Sequence, residues 1–232
     1  MSTSSTTSST TSSTTSSTTS SIRDIKTVFI CPDHNEKYNK RKDHMVNLLT
    51  NIGIKNFSHY KSETESFPQC LSKALIYILE ENMNDEPILI LEDDVDWTGQ
   101  HTLTFSSNID ALYLGLSKSG GHKTENVDDG PSTFEDFSSS QVKVVNMLAT
   151  HAIVYISEKY KRAVVSVLKE HLKTHFGEHM DVPITRIQNE FLVLAEKNPF
   201  FYQSSGLGNT YLVEYLTKFC ITTKTAFIFS PI

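Results

Sequence analysis

Glu92, Asp93, Asp94 and Asp96 place four carboxylates within five positions, directly after the apolar run Ile88 to Leu91. Such a run, bounded by turn residues, predicts a buried strand, so the acids fall at or just past its carboxyl end. In an open α/β sheet that edge is where ligands bind. Carboxylates this close repel one another, and a divalent cation relieves the repulsion because carboxylate oxygens are its natural hard ligands. The spacing therefore predicts a metal site serving a phosphate-bearing substrate. An acidic, solvated loop following a core strand has the same spacing.

The elements before the acids are those of an α/β sandwich with a largely parallel sheet. Thr27 to Cys31 reads as a first strand, and Lys40 to Ile52 as a helix with Met45, Leu48, Leu49 and Ile52 on one face and Gly53 as its stop. Phe57 to Tyr60 is a short second strand. Ser66 and Gln69 have the spacing of a capping box before a helix whose stripe is Leu71, Ala74, Leu75, Ile78 and Leu79. Asn82 to Glu86 then turns the chain into the acidic strand.

Beyond the acids, Asp110 to Leu116 reads as a strand and Ser117 to Ser140 as a long polar connection, lid or exposed insertion. Val142 to Leu148 and His151 to Ile156 are two strand-like runs that either pair across Ala149 and Thr150 or form one bent strand. Ser157 caps a helix with Tyr160, Ala163, Val164, Val167 and Leu168 inward and Lys159, Lys161 and Arg162 as solvated charges. Asp181 precedes a further helix, with Pro183 in its first turn and Ile184, Ile187, Phe191 and Leu194 on its buried side. Pro199 to Gln203 is a last strand.

The chain has 232 residues, 38% hydrophobic, enough for one globular domain with a core. Ser2 to Ser21 is a Ser/Thr repeat without an apolar residue, so residues 1–21 are expected to be a disordered tail and 22–232 the folded unit. A net charge of -6 argues against nucleic acid as a partner. Cys31, Cys70 and Cys220 are odd in number and widely spaced, which suits free thiols. With neither a signal-peptide pattern nor a transmembrane run of about 18 apolar residues, the expected location is cytoplasmic.

Taken in order, these segments resemble the family 25 glycosyltransferases, which include bacterial lipooligosaccharide and animal collagen galactosyltransferases. The opening TVFICPDHNEKYNKRKDHMVNLLTNIGI resembles the family's first strand, polar turn and Arg-bearing helix. QCLSKALIYIL resembles the helix that usually reads Gly-Cys-Ala-Leu-Ser-His, and ILILEDDV the acidic motif. DALYLG, THAIVYIS, MDVPITRIQ and PFFYQ follow in the family's order.

The resemblance implies a single-domain, GT-A-like Rossmann-type α/β/α sandwich that transfers a hexose, galactose or glucose, from a nucleotide-diphosphate sugar to a glycan or glycoprotein acceptor. It implies inversion, a UDP-sugar donor and a manganese or magnesium ion. Asp94 is then the metal ligand, Glu92 shares the metal or contacts the donor ribose, and Asp93 is the next candidate. Cys31, Pro32 and Asp33 lie near the nucleotide base, and Arg41 reaches phosphate, holds the loop or forms a surface ion pair. Ser72 and Lys73 occupy the family's Ser-His positions, with Lys replacing His. An inverting transfer needs a base. Asp181 and His151 are candidates from the family's pattern, although Asp181 also suits a helix cap and His151 a buried, hydrogen-bonded histidine; Asp128 and Asp129 are further candidates. Trp97, the single tryptophan, stacks on an acceptor sugar or plugs the core.

Two other readings stay open. Asp94, Val95, Asp96, Trp97 and Thr98 fit the Asp-x-Asp-x-Thr motif of haloacid-dehalogenase-like phosphatases, with Asp94 as nucleophile and Asp96 as acid-base. A catalytically inactive sugar-nucleotide or glycan binder would keep the fold and lack the base.

Overall fold

The computed structural model describes residues 20–64, 66–100, 105, 108–117, 119–120, 130–174, 178–204, 219–221 and 227–229. A short 3-10 turn, Ile22–Asp24, leads into β1 (Lys26–Cys31), α1 (Glu36–Ile52), β2 (Phe57–Lys61), α2 (Gln69–Glu81), β3 (Ile88–Glu92) and β4 (Val95–Trp97). Next come β5 (Ala111–Tyr113), β6 (Ser119–Gly120), β7 (Gly130–Pro131), β8 (Thr133–Asp136), β9 (Gln141–Asn146) and β10 (Ala152–Tyr155). The chain continues through α3 (Glu158–Thr174), α4 (Asp181–Gln188), β11 (Val193–Glu196), β12 (Phe201–Gln203), β13 (Phe219–Ile221) and β14 (Phe227–Phe229).

The central sheet has eight strands in the order β2-β1-β3-β10-β5-β11-β9-β8. Its registers make β2, β1, β3, β5, β11 and β8 run one way and only β10 and β9 the other. The fold is thus a mixed α/β domain with a mainly parallel sheet. Side chains alternate across each strand. Val28, Ile30, Ile88 and Ile90 face α2, α3 and α4. Phe29, Cys31, Leu89 and Leu91 face α1.

Helix α1 starts at Asn35, whose side chain accepts from the Tyr38 amide, and ends at Gly53 in the left-handed region (φ 86°). Helix α3 is capped as expected, the Ser157 hydroxyl accepting from the Tyr160 amide at 3.2 Å.

Several expectations give way to longer-range packing. Ser66 and Gln69 form no capping box: Pro68 occupies the cap position without a side-chain bond, after a cis Phe67–Pro68 peptide. Asp181 is the first residue of α4 rather than its cap, which is Met180. Helix α4 ends at Gln188, and Leu194 belongs to β11, paired with Leu112. The runs 142–148 and 151–156 neither pair nor form one strand, because β10 inserts between β3 and β5 while β9 joins β11. The strand expected over 110–116 shortens to Ala111–Tyr113: before it the buried Asp110 carboxylate accepts from the Ser157 hydroxyl (2.6 Å) and the Leu192 amide (2.8 Å), and after it the Leu114 carbonyl accepts from the Phe200 (2.8 Å) and Phe201 (3.0 Å) amides. Within the polar connection 117–140, β8 joins the main sheet against β9.

Lys161 is the sharpest departure from the expected solvated charge. It is fully buried, and its ammonium donates to the carbonyls of Asn82 (3.0 Å), Asn84 (2.7 Å) and Glu86 (2.7 Å). Burial pushes its pKa down to about 8. The turn delivering β3 to the site is therefore pinned by a side chain from α3. Residues 1–19 of the Ser/Thr repeat, and Asp128 and Asp129, lie outside the described residues. No helix among the described residues is long and apolar enough to cross a membrane.

Candidate active site

Strands β1 and β3 end side by side, with Ile30 opposite Glu92. This edge gathers the end of β1, the acids after β3 and, because β10 runs in reverse, the residues just before it. The Glu92 amide donates to the His151 carbonyl at 3.0 Å, and the Thr150 hydroxyl donates to Glu92 Oε1 at 2.6 Å.

The four acids have separate fates. Asp93 is buried and paired with the buried Arg41 of α1 at 2.7 Å, so this pair is an internal brace rather than a surface contact. Burial raises the Asp93 carboxyl although Arg41 pulls it down. Asp96 accepts from the Trp97 amide at 2.9 Å, in a strand paired with β12. Asp94 is buried, and its carbonyl accepts from the Ser204 amide at 2.7 Å.

Glu92 is partly buried, and its pKa is pushed up to about 8 by burial, then by Asp94, with smaller contributions from Asp181 and Asp93. Asp181, in the first turn of α4, adds a smaller repulsion to the same group.

His151 is buried, and Nε2 has no hydrogen-bond partner among the described residues. The ring lies against Gly115, where an added Cβ would stand 1.8 Å from Nε2. Burial holds its pKa down at about 4 although Asp94 pulls it up, so the imidazole is neutral near pH 7.

At the end of β1, the Cys31 thiol donates to the Pro32 carbonyl at 3.0 Å, and burial followed by the Asp93 charge pushes its pKa up. Asp33 pairs with Lys61 of β2 at 2.7 Å. The Cys31 carbonyl lies 2.8 Å from His59 Nε2. Ser72 is buried with no partner for Oγ among the described residues, whereas Lys73 is exposed. The Trp97 indole donates to the Gln100 carbonyl at 2.8 Å, and its ring packs on the α1-side core.

Thr150, Gly115 and Ser204 were not legible as site residues, although Thr150 adjoins His151 in the Thr-His-Ala segment. Gly115 becomes informative only once the imidazole is seen against it.

No group of three or more His, Cys, Asp or Glu side chains among the described residues is arranged to hold a metal ion. Glu92 and Asp94 nevertheless fit a divalent cation that draws its other ligands from a substrate. They are neighbouring oxygen donors whose mutual repulsion suppresses ionisation of Glu92, and a cation would relieve that repulsion. Asp93 fits less well because Arg41 already neutralises it.

No family model matches the chain, and no curated protein matches it in sequence. Among solved structures, CTP:phosphocholine cytidylyltransferase from Streptococcus pneumoniae is similar at 8% identity and TM-score 0.42, over 78% of this chain and 93% of that one. A glycosyltransferase involved in glycosylation of the major capsid of PBCV-1 is similar at 12% identity and TM-score 0.45, over 76% and 93%. A nucleoside-diphosphate-sugar pyrophosphorylase from Vibrio cholerae RC9 is similar at 14% identity and TM-score 0.39, over 72% and 70%.

Proposed function

We propose that this chain is a glycosyltransferase of the GT-A type resembling family 25, moving a hexose, galactose or glucose, from a UDP-sugar to a glycan or glycoprotein acceptor with inversion. The observation that supports this reading is the pair Glu92 and Asp94 at the carboxyl end of β3, where burial and then the Asp94 charge push the Glu92 pKa up to about 8.

Asp94 with Glu92 would hold a manganese or magnesium ion, which when bound would offset the negative charge developing on a departing diphosphate. Cys31, Pro32 and Asp33 lie beside the nucleotide in this reading, with Ser72 and Lys73 on the neighbouring helix. The Arg41–Asp93 brace fixes the loop after β3 against α1. The base that takes the acceptor hydroxyl proton is Asp181 rather than His151. A carboxylate at the start of α4 suits the task, whereas the imidazole is packed with Nε2 against Gly115.

The test is thermal stability of the protein against a panel of nucleotide-diphosphate sugars and simple phosphate esters, each with and without manganese. Stabilisation by a sugar nucleotide only in the presence of metal is the expected result. No response to any sugar nucleotide, together with turnover of phosphate esters, would overturn the reading in favour of a phosphatase.

A further inference from the structure

Two bonds join the end of β3 to the residues just before β10. The Glu92 amide donates to the His151 carbonyl at 3.0 Å, which carries one step further the antiparallel register that sets Ala152 opposite Leu91. The Thr150 hydroxyl donates to Glu92 Oε1 at 2.6 Å, and among the described residues no other hydrogen bond reaches this carboxylate.

The segment carrying Thr150 is held upstream as well. Gln188, fully buried at the end of α4, accepts from the Met147 amide and donates to the Met147 carbonyl, both at 2.8 Å. The Leu148 amide donates to the Ser119 carbonyl at 2.8 Å. The backbone is thus fixed two and three residues before Thr150 and again one residue after it. The fold delivers the hydroxyl to Glu92, and a β-branched side chain adds little freedom of its own.

The two neighbouring acids differ in the kind of partner they have. Asp93 is paired with the guanidinium of Arg41, which neutralises it. Glu92 is held by a neutral hydroxyl, which restricts its torsions, occupies one oxygen and leaves its charge for another ligand. A donor of that kind behind a metal-ligating carboxylate fixes its orientation before the metal arrives.

We infer that Thr150 is a positioning residue for the nucleotide site: its hydroxyl presets the Glu92 carboxylate to take, with Asp94, a divalent cation carrying the diphosphate of a nucleotide. The inference rests on the transferase reading of this edge.

Manganese binding to the full chain in the presence of UDP, read from the EPR signal of the free ion, tests it. Thr150→Val keeps the side-chain shape and removes the donor, whereas Thr150→Ser keeps the donor. Thr150→Val should weaken manganese affinity about 10–100-fold, and Thr150→Ser should bind manganese like the wild type. A threonine with a structural role alone would lower the melting temperature of Thr150→Val and leave the manganese affinity of the folded protein unchanged. That result would overturn the inference and leave the transferase reading in place. Equal losses in Thr150→Val and Thr150→Ser would overturn it too, because the hydroxyl would then not be the group that matters. If Thr150→Val does not fold, Thr150→Ala replaces it with the same expectations. Absence of manganese uptake by the wild type, with or without UDP, would overturn the transferase reading and this assignment together.

Discussion

Arg41 on α1 and Asp93 after β3 form an ion pair at 2.7 Å, each side chain about nine-tenths buried. They are 52 residues apart, and each removes from the other the penalty of an isolated buried charge. Arg41→Ala should therefore cost about 3–5 kcal/mol in urea unfolding. The double change Arg41→Met with Asp93→Leu should cost less than Arg41→Ala alone. A double variant weaker than the single one would show that the pair contributes net stability beyond this mutual compensation.

Asp94→Asn should keep the bond from the Ser204 amide, which is to the Asp94 backbone carbonyl. The same change should abolish manganese-dependent stabilisation by a sugar nucleotide. Full retention of that stabilisation, read by thermal melting, would remove Asp94 from the metal set.

The pH dependence of stability should carry two opposed slopes. Glu92, at about 8 when folded against 4.5 ordinarily, keeps a proton that the unfolded chain releases, so its contribution falls as pH rises from 4.5 to 8. His151, at about 4 against 6.5, stays neutral while the unfolded chain takes a proton, so its contribution falls as pH drops from 6.5 to 4. Between these two groups, Glu92 acts alone from 6.5 to 8. Glu92→Gln should flatten the decline in that window, by at most about 1.4 kcal/mol per pH unit. Parallel profiles for wild type and variant, from urea unfolding at several pH values, would reject this.

Gly115→Ala must displace the His151 ring, since the new Cβ would stand 1.8 Å from Nε2. The expected cost is about 1–3 kcal/mol. Because the clash is with one side chain, Gly115→Ala should cost much less in a His151→Ala background. Additive losses in a double-mutant cycle would show that the strain lies elsewhere.

Lys161→Met should cost roughly 2–4 kcal/mol, because the carbonyls of Asn82, Asn84 and Glu86 lose a shared donor. Hydrogen exchange should locate the loosening at the turn before β3. A change of less than about 0.5 kcal/mol would mean that water replaces the ammonium without penalty.

Local periodicity carried the parts of the fold that local physics decides. The stripe of α1 with its Gly53 stop, the Ser157 cap and the apolar β3 ending in acids are each set by neighbours within a few residues. Lys161, Leu194 and the fate of β10 are set by partners far along the chain, and no spacing rule reports them. The acids show the same division. Their cluster was visible, but the diversion of Asp93 to Arg41 and of Asp96 to the Trp97 amide depends on how the sheet and α1 come together.

The insertion of β10 between β3 and β5 also makes the edge depend on a late part of the chain. Strands β1, β2 and β3 are complete within the first 92 residues, yet Thr150 and His151 reach the end of β3 only with a strand made 60 residues later. Until then nothing from β10 covers Glu92, and a carboxylate left in water titrates near 4.5. The protonation state that distinguishes this edge therefore needs β10 in place, so a chain ending before β10 carries the acids without their chemistry.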